Sequence, residues 1–175
     1  CKQGRTVDLK KSINVIVWQM SKKNVVEIIE FSEELSEPIK TLNYEWLEKY
    51  FRVEEGDVAS LSDPQKHIID KGGHIYYAKL NGEIVGTASL LKKNETVYEL
   101  GKLAVSDKVQ GHGIGTILIE HCLNMAKQKQ IKTLILYSNT TLQSAIHLFR
   151  KYGFEEVELE SGVYERANIK MEKHF

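Results

Sequence analysis

Cysteine is scarce in this chain, neither charge sign is in excess, and no long apolar run occurs; each shortage narrows what the protein does. Cys1 and Cys122 are the only cysteines among 175 residues, which points to a reduced, cytoplasmic protein. Cys122 falls on the apolar stripe of an expected helix and reads as packing. Cys1 stands first with no methionine before it, so an upstream piece and a lipid-attachment role stay open. Lys plus Arg number 24 and Asp plus Glu number 24, which removes any global electrostatic argument for nucleic acid or a membrane surface as partner. No apolar stretch approaches the ~18 residues of a membrane span, and there is no internal repeat or low-complexity linker. With 42% hydrophobic residues, the expectation is one domain over residues 1–175, its first twelve an N-terminal extension.

What is present is a clear succession of elements. "INVIVWQM" (Ile13 to Met20) reads as a strand, followed by a helix from about Asn24 with Val25, Ile28, Ile29 and Leu35 on one face. "LNYEWLEKYF" (Leu42 to Phe51) reads as a second, aromatic-rich helix. Asp63 as N-cap, Pro64 at the first helical position and Gly72–Gly73 beyond the end mark another helical segment. "HIYYAKL" and "EIVGTASLL" flank Asn81–Gly82, a strong hairpin signal, and Thr96 to Val105 makes a third strand of the meander. A helix from Ile114, the strand "KTLILYS", a helix "TLQSAIHLFRKYGF" closed by Gly153, and strands near Glu155–Leu159 and Ala167–Glu172 complete the chain. The order β-α-α-β-β-β-α-β-α-β-β describes an α/β fold with a mixed sheet and helices on both faces.

Gly111, Gly113 and Gly115 alternate where the helix from Ile114 must start, although glycine weakens helices. A strand ending near Val105 followed by a helix N-terminus exposes several unpaired N–H groups at the positive end of a helix dipole. Glycine lets phosphate oxygens approach that backbone without a Cβ in the way, so an anion site is expected. A Walker loop is excluded, because no lysine precedes Thr116. A Rossmann loop is excluded too, since the third glycine comes one position early and the loop follows an antiparallel meander. A bare glycine-rich turn without a ligand is the plain alternative.

Gln110-Gly111-His112-Gly113-Ile114-Gly115 matches Q/R-x-x-G-x-G/A, preceded by Leu103-Ala104-Val105 and followed downstream by a helix ending in Gly153-Phe154. In these motifs and in element order from Ile13 to Met171, the chain resembles the GNAT superfamily of acetyl-CoA-dependent N-acetyltransferases. The resemblance implies a GNAT-like fold whose sheet splays between its fourth and fifth strands. It implies that N–H groups of Gln110, Gly111, His112, Gly113, Ile114, Gly115 and Thr116 hold the pyrophosphate of coenzyme A. The backbone of Leu103, Ala104 and Val105 would pair with the pantetheine arm. Asn139 would contact the cofactor or simply cap the next helix. Phe149 sits where many members carry an acid tyrosine, and Leu142 where many carry a cofactor-binding asparagine.

Acetyl transfer needs a neutral amine, hence a base, and a thiolate must then leave. By the resemblance, Glu99, six residues before Val105, is the candidate base; burial at the splay would raise its pKa. A solvent-facing strand glutamate is the alternative. Phe149 cannot donate a proton and Tyr152 reads as core, so Tyr164, between the last two strands, is the candidate acid. A thiol pKa near ~8.5 also allows thiolate departure without one. His67, His74, His112, His121, His147 and His174 never fall at i, i+4 beside a carboxylate, and no metal site is expected. The reading is an N-acetyltransferase moving acetyl from acetyl-CoA to a primary amine of a small molecule or peptide, by direct attack through a tetrahedral intermediate. Acidic segments around Tyr44, Trp46, Tyr50 and Phe51 suit a cationic acceptor or are simply solvated carboxylates above a packed helix. A longer acyl group, a non-catalytic acetyl-CoA sensor and a homodimer remain open; nucleic-acid and membrane partners are not expected.

Overall fold

The computed structural model describes residues 16–21 and 24–175; the expected extension over residues 1–12 and the start of the first expected strand lie outside them. Eight strands form one sheet in the order β1-β2-β3-β4-β5-β6-β8-β7. In chain order these are β1 (Ile16–Ser21), β2 (Asn24–Glu30), β3 (His74–Leu80), β4 (Glu83–Lys92), β5 (Val97–Val105), β6 (Thr133–Ser138), β7 (Glu155–Val157) and β8 (Ile169–His174). The helices are α1 (Glu37–Tyr50), α2 (Glu55–Ser62), α3 (Ile114–Gln128) and α4 (Gln143–Lys151). Among the described residues no helix is long and apolar enough to cross a membrane.

The expected mixed sheet is present with one extra strand, because the segment from Asn24 is β2 and not a helix. Val25, Ile28 and Ile29 fit a helical stripe by spacing, but Val26 and Ile28 are buried while Val25 is exposed and Glu27 and Ile29 are half-buried, the period of two of a strand. Four β-branched residues in five favour that outcome, and β2 pairs antiparallel with both β1 and β3. Leu35 ends a short 3-10 turn. The aromatic helix begins earlier than expected, at Glu37 with Pro38 in its first turn. Asp63 accepts the Lys66 N–H at 3.1 Å, as a cap would, but the segment it opens is one π-type turn, Gln65–Ile69.

The β3–β4 hairpin turns on Asn81 (φ 51°) and Gly82 (φ 87°), both left-handed, as Asn-Gly demands. On one face of the sheet α3 and α4 cover a core that includes Ile114, Leu118, Cys122, Leu134 and Phe149. On the other, α1 and α2 cover Ile39, Leu47, Leu61, Ile75 and Tyr77. Cys122 is fully buried and unbonded, and burial pushes its thiol pKa up, in keeping with packing. The one parallel pair, β5 with β6, runs only from Val97–Thr133 to Glu99–Ile135. Past Glu99 the strands part, and no strand pairs with the β6 side of residues 100–105 among the described residues. On its other side β5 carries a bulge: Thr87 pairs with Ala104 but Ser89 with Gly101. Lys102, at φ 51°, is the displaced residue.

Candidate active site

The parted strands open a cavity of about 610 Å³ bounded by α1, β5, the glycine loop, α3, α4 and the segment before β8. Every expected site residue lines it except His112, which is exposed beside the loop. Gly111 (φ 84°) and Gly113 (φ 74°) hold left-handed backbone, Gly113 as the residue that starts α3. A non-glycine residue there costs roughly 1–2 kcal/mol. Gly115 is different: its backbone is ordinary helix, and an added Cβ would meet only Val105 Cγ2, at 3.9 Å. Nothing inside the protein demands glycine at that position. The first main-chain bond to the helix start is Ile117 N–H to the Gly113 carbonyl, so the N–H groups of Ile114, Gly115 and Thr116 remain free at the positive helix end. The Ile114 side chain points away into the core, 1% exposed.

These features fit coenzyme A. The open space at Gly111 and Gly115 and the free N–H groups suit a pyrophosphate. The unpaired edge of Leu103 to Val105 suits an amide-bearing arm added as a strand. Asn139 lines the same cavity, yet its own side chain is engaged: Nδ2 donates to the Arg166 carbonyl at 2.8 Å and Oδ1 accepts from Thr141 N–H at 2.9 Å. It thereby fixes the turn into α4. Phe149 is buried, packed edge-on against Phe154 at 5.9 Å, and forms apolar wall.

At the point of divergence lies Glu99, 1% exposed. Its Oε2 accepts from the Tyr164 hydroxyl at 3.1 Å, while Oε1 has no partner. Burial raises its pKa; Lys93, at 3.8 Å, and Tyr164 oppose the rise without cancelling it. Burial also raises the Tyr164 pKa, and the adjacent Glu99 adds to it, so Tyr164 keeps its proton. The Tyr152 hydroxyl is turned elsewhere, to Glu120 at 2.7 Å. Tyr137 donates to Glu160 and stacks edge-on against Tyr164, ring centroids 5.5 Å apart.

Behind Tyr164 stands an ion network that the sequence reading missed. The Arg166 guanidinium lies 4.8 Å from the Tyr164 ring, donates to Asp57 at 2.6 and 3.0 Å, and donates to Glu54 at 2.6 Å. Lys102 donates to the same Asp57 at 3.0 Å. Burial alone would raise the Asp57 carboxyl, but Arg166 and Lys102 hold it below its ordinary value. The residues stand 45 and 109 positions from Asp57, so no local pattern joins them. The available hint was Glu54 three before Asp57, a helix-start arrangement in which the Glu54 N–H donates to Asp57 at 3.0 Å.

The fold and loop together describe an acyltransferase-type α/β domain. A crystal structure of a GNAT-family acetyltransferase from Staphylococcus aureus MU50 superposes with a TM-score of 0.76 at 20% identity, over 85% of this chain and 98% of that one. The PaiA N-acetyltransferase of Thermoplasma acidophilum, solved in complex with coenzyme A, gives 0.68 at 18% identity over 86% and 99%. The model of the Acetyltransferase (GNAT) family matches residues 40–154, and the chain belongs to that family. Among curated relatives, the uncharacterized N-acetyltransferase YvbK of Bacillus subtilis (strain 168) is 29% identical over 101 residues, 56% of this chain and 65% of that protein. Rat N-acetyltransferase family 8 member 2 is 27% identical over 56% of this chain and 46% of that protein. The matched region thus spans about half to two thirds of those relatives.

Proposed function

We propose that the protein transfers acetyl from acetyl-CoA to a primary amine by direct attack. The observation that carries this reading is Glu99, a buried carboxylate with one oxygen unpartnered where β5 and β6 part. A desolvated carboxylate of raised pKa is matched to taking a proton from an ammonium near neutral pH. Acetyl-CoA, when bound, supplies the thioester carbonyl, with its pyrophosphate at Gln110 to Thr116 and its arm along Leu103 to Val105. Glu99 takes the proton of the bound ammonium first; the neutral nitrogen then attacks the thioester carbonyl, and as the C–S bond breaks the nitrogen's surplus proton leaves with the sulfur, which departs as the free thiol. Tyr164, still protonated and bonded to Glu99, holds that carboxylate in place and is the phenol assigned to protonate the departing sulfur. Phe149 has no proton to give.

Calorimetric titration with acetyl-CoA, against NADH as comparator, followed by an amine screen with wild type and Glu99→Gln, tests the reading. Micromolar acetyl-CoA binding with turnover that Glu99→Gln lowers by about 10²–10⁴ is expected. Binding without turnover of any amine would favour an acetyl-CoA sensor instead.

A further inference from the structure

Charge accounting on the acceptor side narrows the amine. Lys102 and Arg166 are the cationic side chains among the described residues lining the cavity, and Glu99 is the carboxylate. Both cations are already matched. Lys102 and Asp57 pair at 3.0 Å with side chains 7% and 0% exposed. Arg166 bridges Asp57 and Glu54, both at 2.6 Å. Two cations against two carboxylates leave no ammonium or guanidinium for a carboxylate or phosphate on the acceptor. An anion entering here would meet a neutral network and then Glu99, and would lose its hydration without a partner. An ammonium meets Glu99, whose buried Oε1 has no partner and whose Oε2 has the half-exposed Lys93 3.8 Å away as its counter-charge.

The remaining wall is aromatic. Trp46, Tyr50 and Phe51, at the C-terminal end of α1, all line the cavity, with Trp46 5.5 Å from Phe51 and 6.0 Å from Tyr50. Tyr50 is 44% exposed, so this cluster is not a closed core. The turn that follows it is tied to the Tyr164 segment: Arg52 pairs with Glu165, the Glu165 N–H donates to Glu54 at 2.8 Å, and Arg166 joins Glu54 and Asp57. Those ties hold the end of the aromatic cluster to the Tyr164 segment, on the cavity that Glu99 also lines. They also cross-link the two segments that flank the acceptor, which favours a small molecule over an extended polypeptide.

Resting on the acetyl-transfer reading, we propose that the acceptor is a small arylalkyl amine: a primary amine on an aromatic body, with no carboxylate beside the nitrogen. The ammonium gives its proton to Glu99, the ring lies on Trp46 and its neighbours, and the Asp57 network excludes the amino acid of the same shape. A site that leaves a charged group unpaired discriminates by orders of magnitude, whereas apolar fit alone is worth about 10–200-fold.

The test compares 2-phenylethylamine, phenylalanine, spermidine and a pentapeptide beginning with phenylalanine. It measures kcat/KM with acetyl-CoA and, by calorimetry, binding to the CoA-saturated protein. 2-Phenylethylamine should exceed phenylalanine by at least 100-fold and the other two by at least tenfold. Trp46→Leu should raise its KM about tenfold and leave the KM for acetyl-CoA unchanged. Asp57→Asn, which uncouples Lys102, should raise phenylalanine relative to 2-phenylethylamine at least tenfold; Glu54→Gln, which loosens Arg166 alone, serves if that variant does not fold. Equal or better use of phenylalanine, spermidine or the peptide would overturn the acceptor class and leave the transferase reading intact. If acetyl-CoA binds and no amine turns over, the transferase reading fails; the acceptor class then fails as well unless 2-phenylethylamine still binds in preference to phenylalanine.

Discussion

Replacing Gly115 by glutamate should make the free protein more stable and the cofactor complex weaker, an opposition that a merely structural glycine would not produce; alanine, which the motif itself admits at this position, should stabilise without that loss. The added Cβ meets Val105 Cγ2 at 3.9 Å and nothing nearer, and the backbone there is right-handed helix. Glutamate in the first turn of a helix is worth roughly 0.5–1 kcal/mol over glycine, from its helix propensity and the favourable place of a carboxylate at the helix N-terminus. For a chain of 175 residues, that is a rise in Tm of about 1–4 °C. The same side chain reaches into the space beside the free N–H groups of Ile114, Gly115 and Thr116, where a pyrophosphate oxygen would have to approach, and sets a carboxylate against it. Overpacking of that kind costs about 1–3 kcal/mol, or about five- to 150-fold in Kd.

Two measurements on one pair of proteins decide it: thermal unfolding without ligand, and calorimetric titration with acetyl-CoA. Unchanged affinity in Gly115→Glu would refute the assignment of the loop as the pyrophosphate cradle. A fall in Tm would refute the claim that the position is open. Gly113→Ala supplies the contrast, since its φ of 74° makes alanine strained before any ligand arrives; it should lose both stability and affinity.

Three further outcomes follow from the buried charges. If Glu99 is the base, the acid limb of the kcat/KM profile should lie above the ordinary carboxylate range, because burial raises its pKa, and activity should fall as pH drops through that value; an acid limb unchanged in Glu99→Gln would remove it from that role. His121 is 6% exposed, its Nε2 has no partner, and burial lowers its pKa from 6.5 to about 4. Between those values the unfolded chain binds the extra proton, so stability should fall by about 3 kcal/mol as pH drops from 6.5 to 4. His121→Leu should flatten that slope in denaturant titrations, and an unchanged slope would assign it to other groups. Arg166→Met should cost about 3 kcal/mol, the low end for breaking a buried pair because Lys102 still compensates Asp57. It should also lower kcat more than it raises the KM for acetyl-CoA, with partial rescue by Arg166→Lys; a stability loss with kinetics intact would make the pair purely structural.

What the sequence made legible is what chemistry writes locally. Asn81–Gly82 specifies its hairpin through two left-handed residues in a row. The glycines before α3 specify a helix start that must stay bare. The segment of β2 fits two periods, Val25, Ile28 and Ile29 that of a helix and Val26 and Ile28 that of a strand, and only pairing with β1 and β3 selects the strand. The short α2 went unread because its eight residues, EGDVASLS, present two buried side chains, one of them Asp57. Its apolar stripe is too thin to register.

The acceptor side lacks any such local signature for a physical reason. Lys102 reaches Asp57 from a bulge in β5, and a lysine at φ 51° is held there by its surroundings, not by its own preference. The Asn43 side chain donates to the Lys102 carbonyl at 3.3 Å and so braces the bulge from α1. Arg166 then reaches Asp57 from across the cavity. Each of these contacts exists only after α1, α2, β5 and the segment before β8 have packed. Coenzyme A can be held by backbone groups that one loop supplies, so its site survives as a short motif. Choice among amines depends on which buried charges are left unpaired, and that is a property of the assembled network.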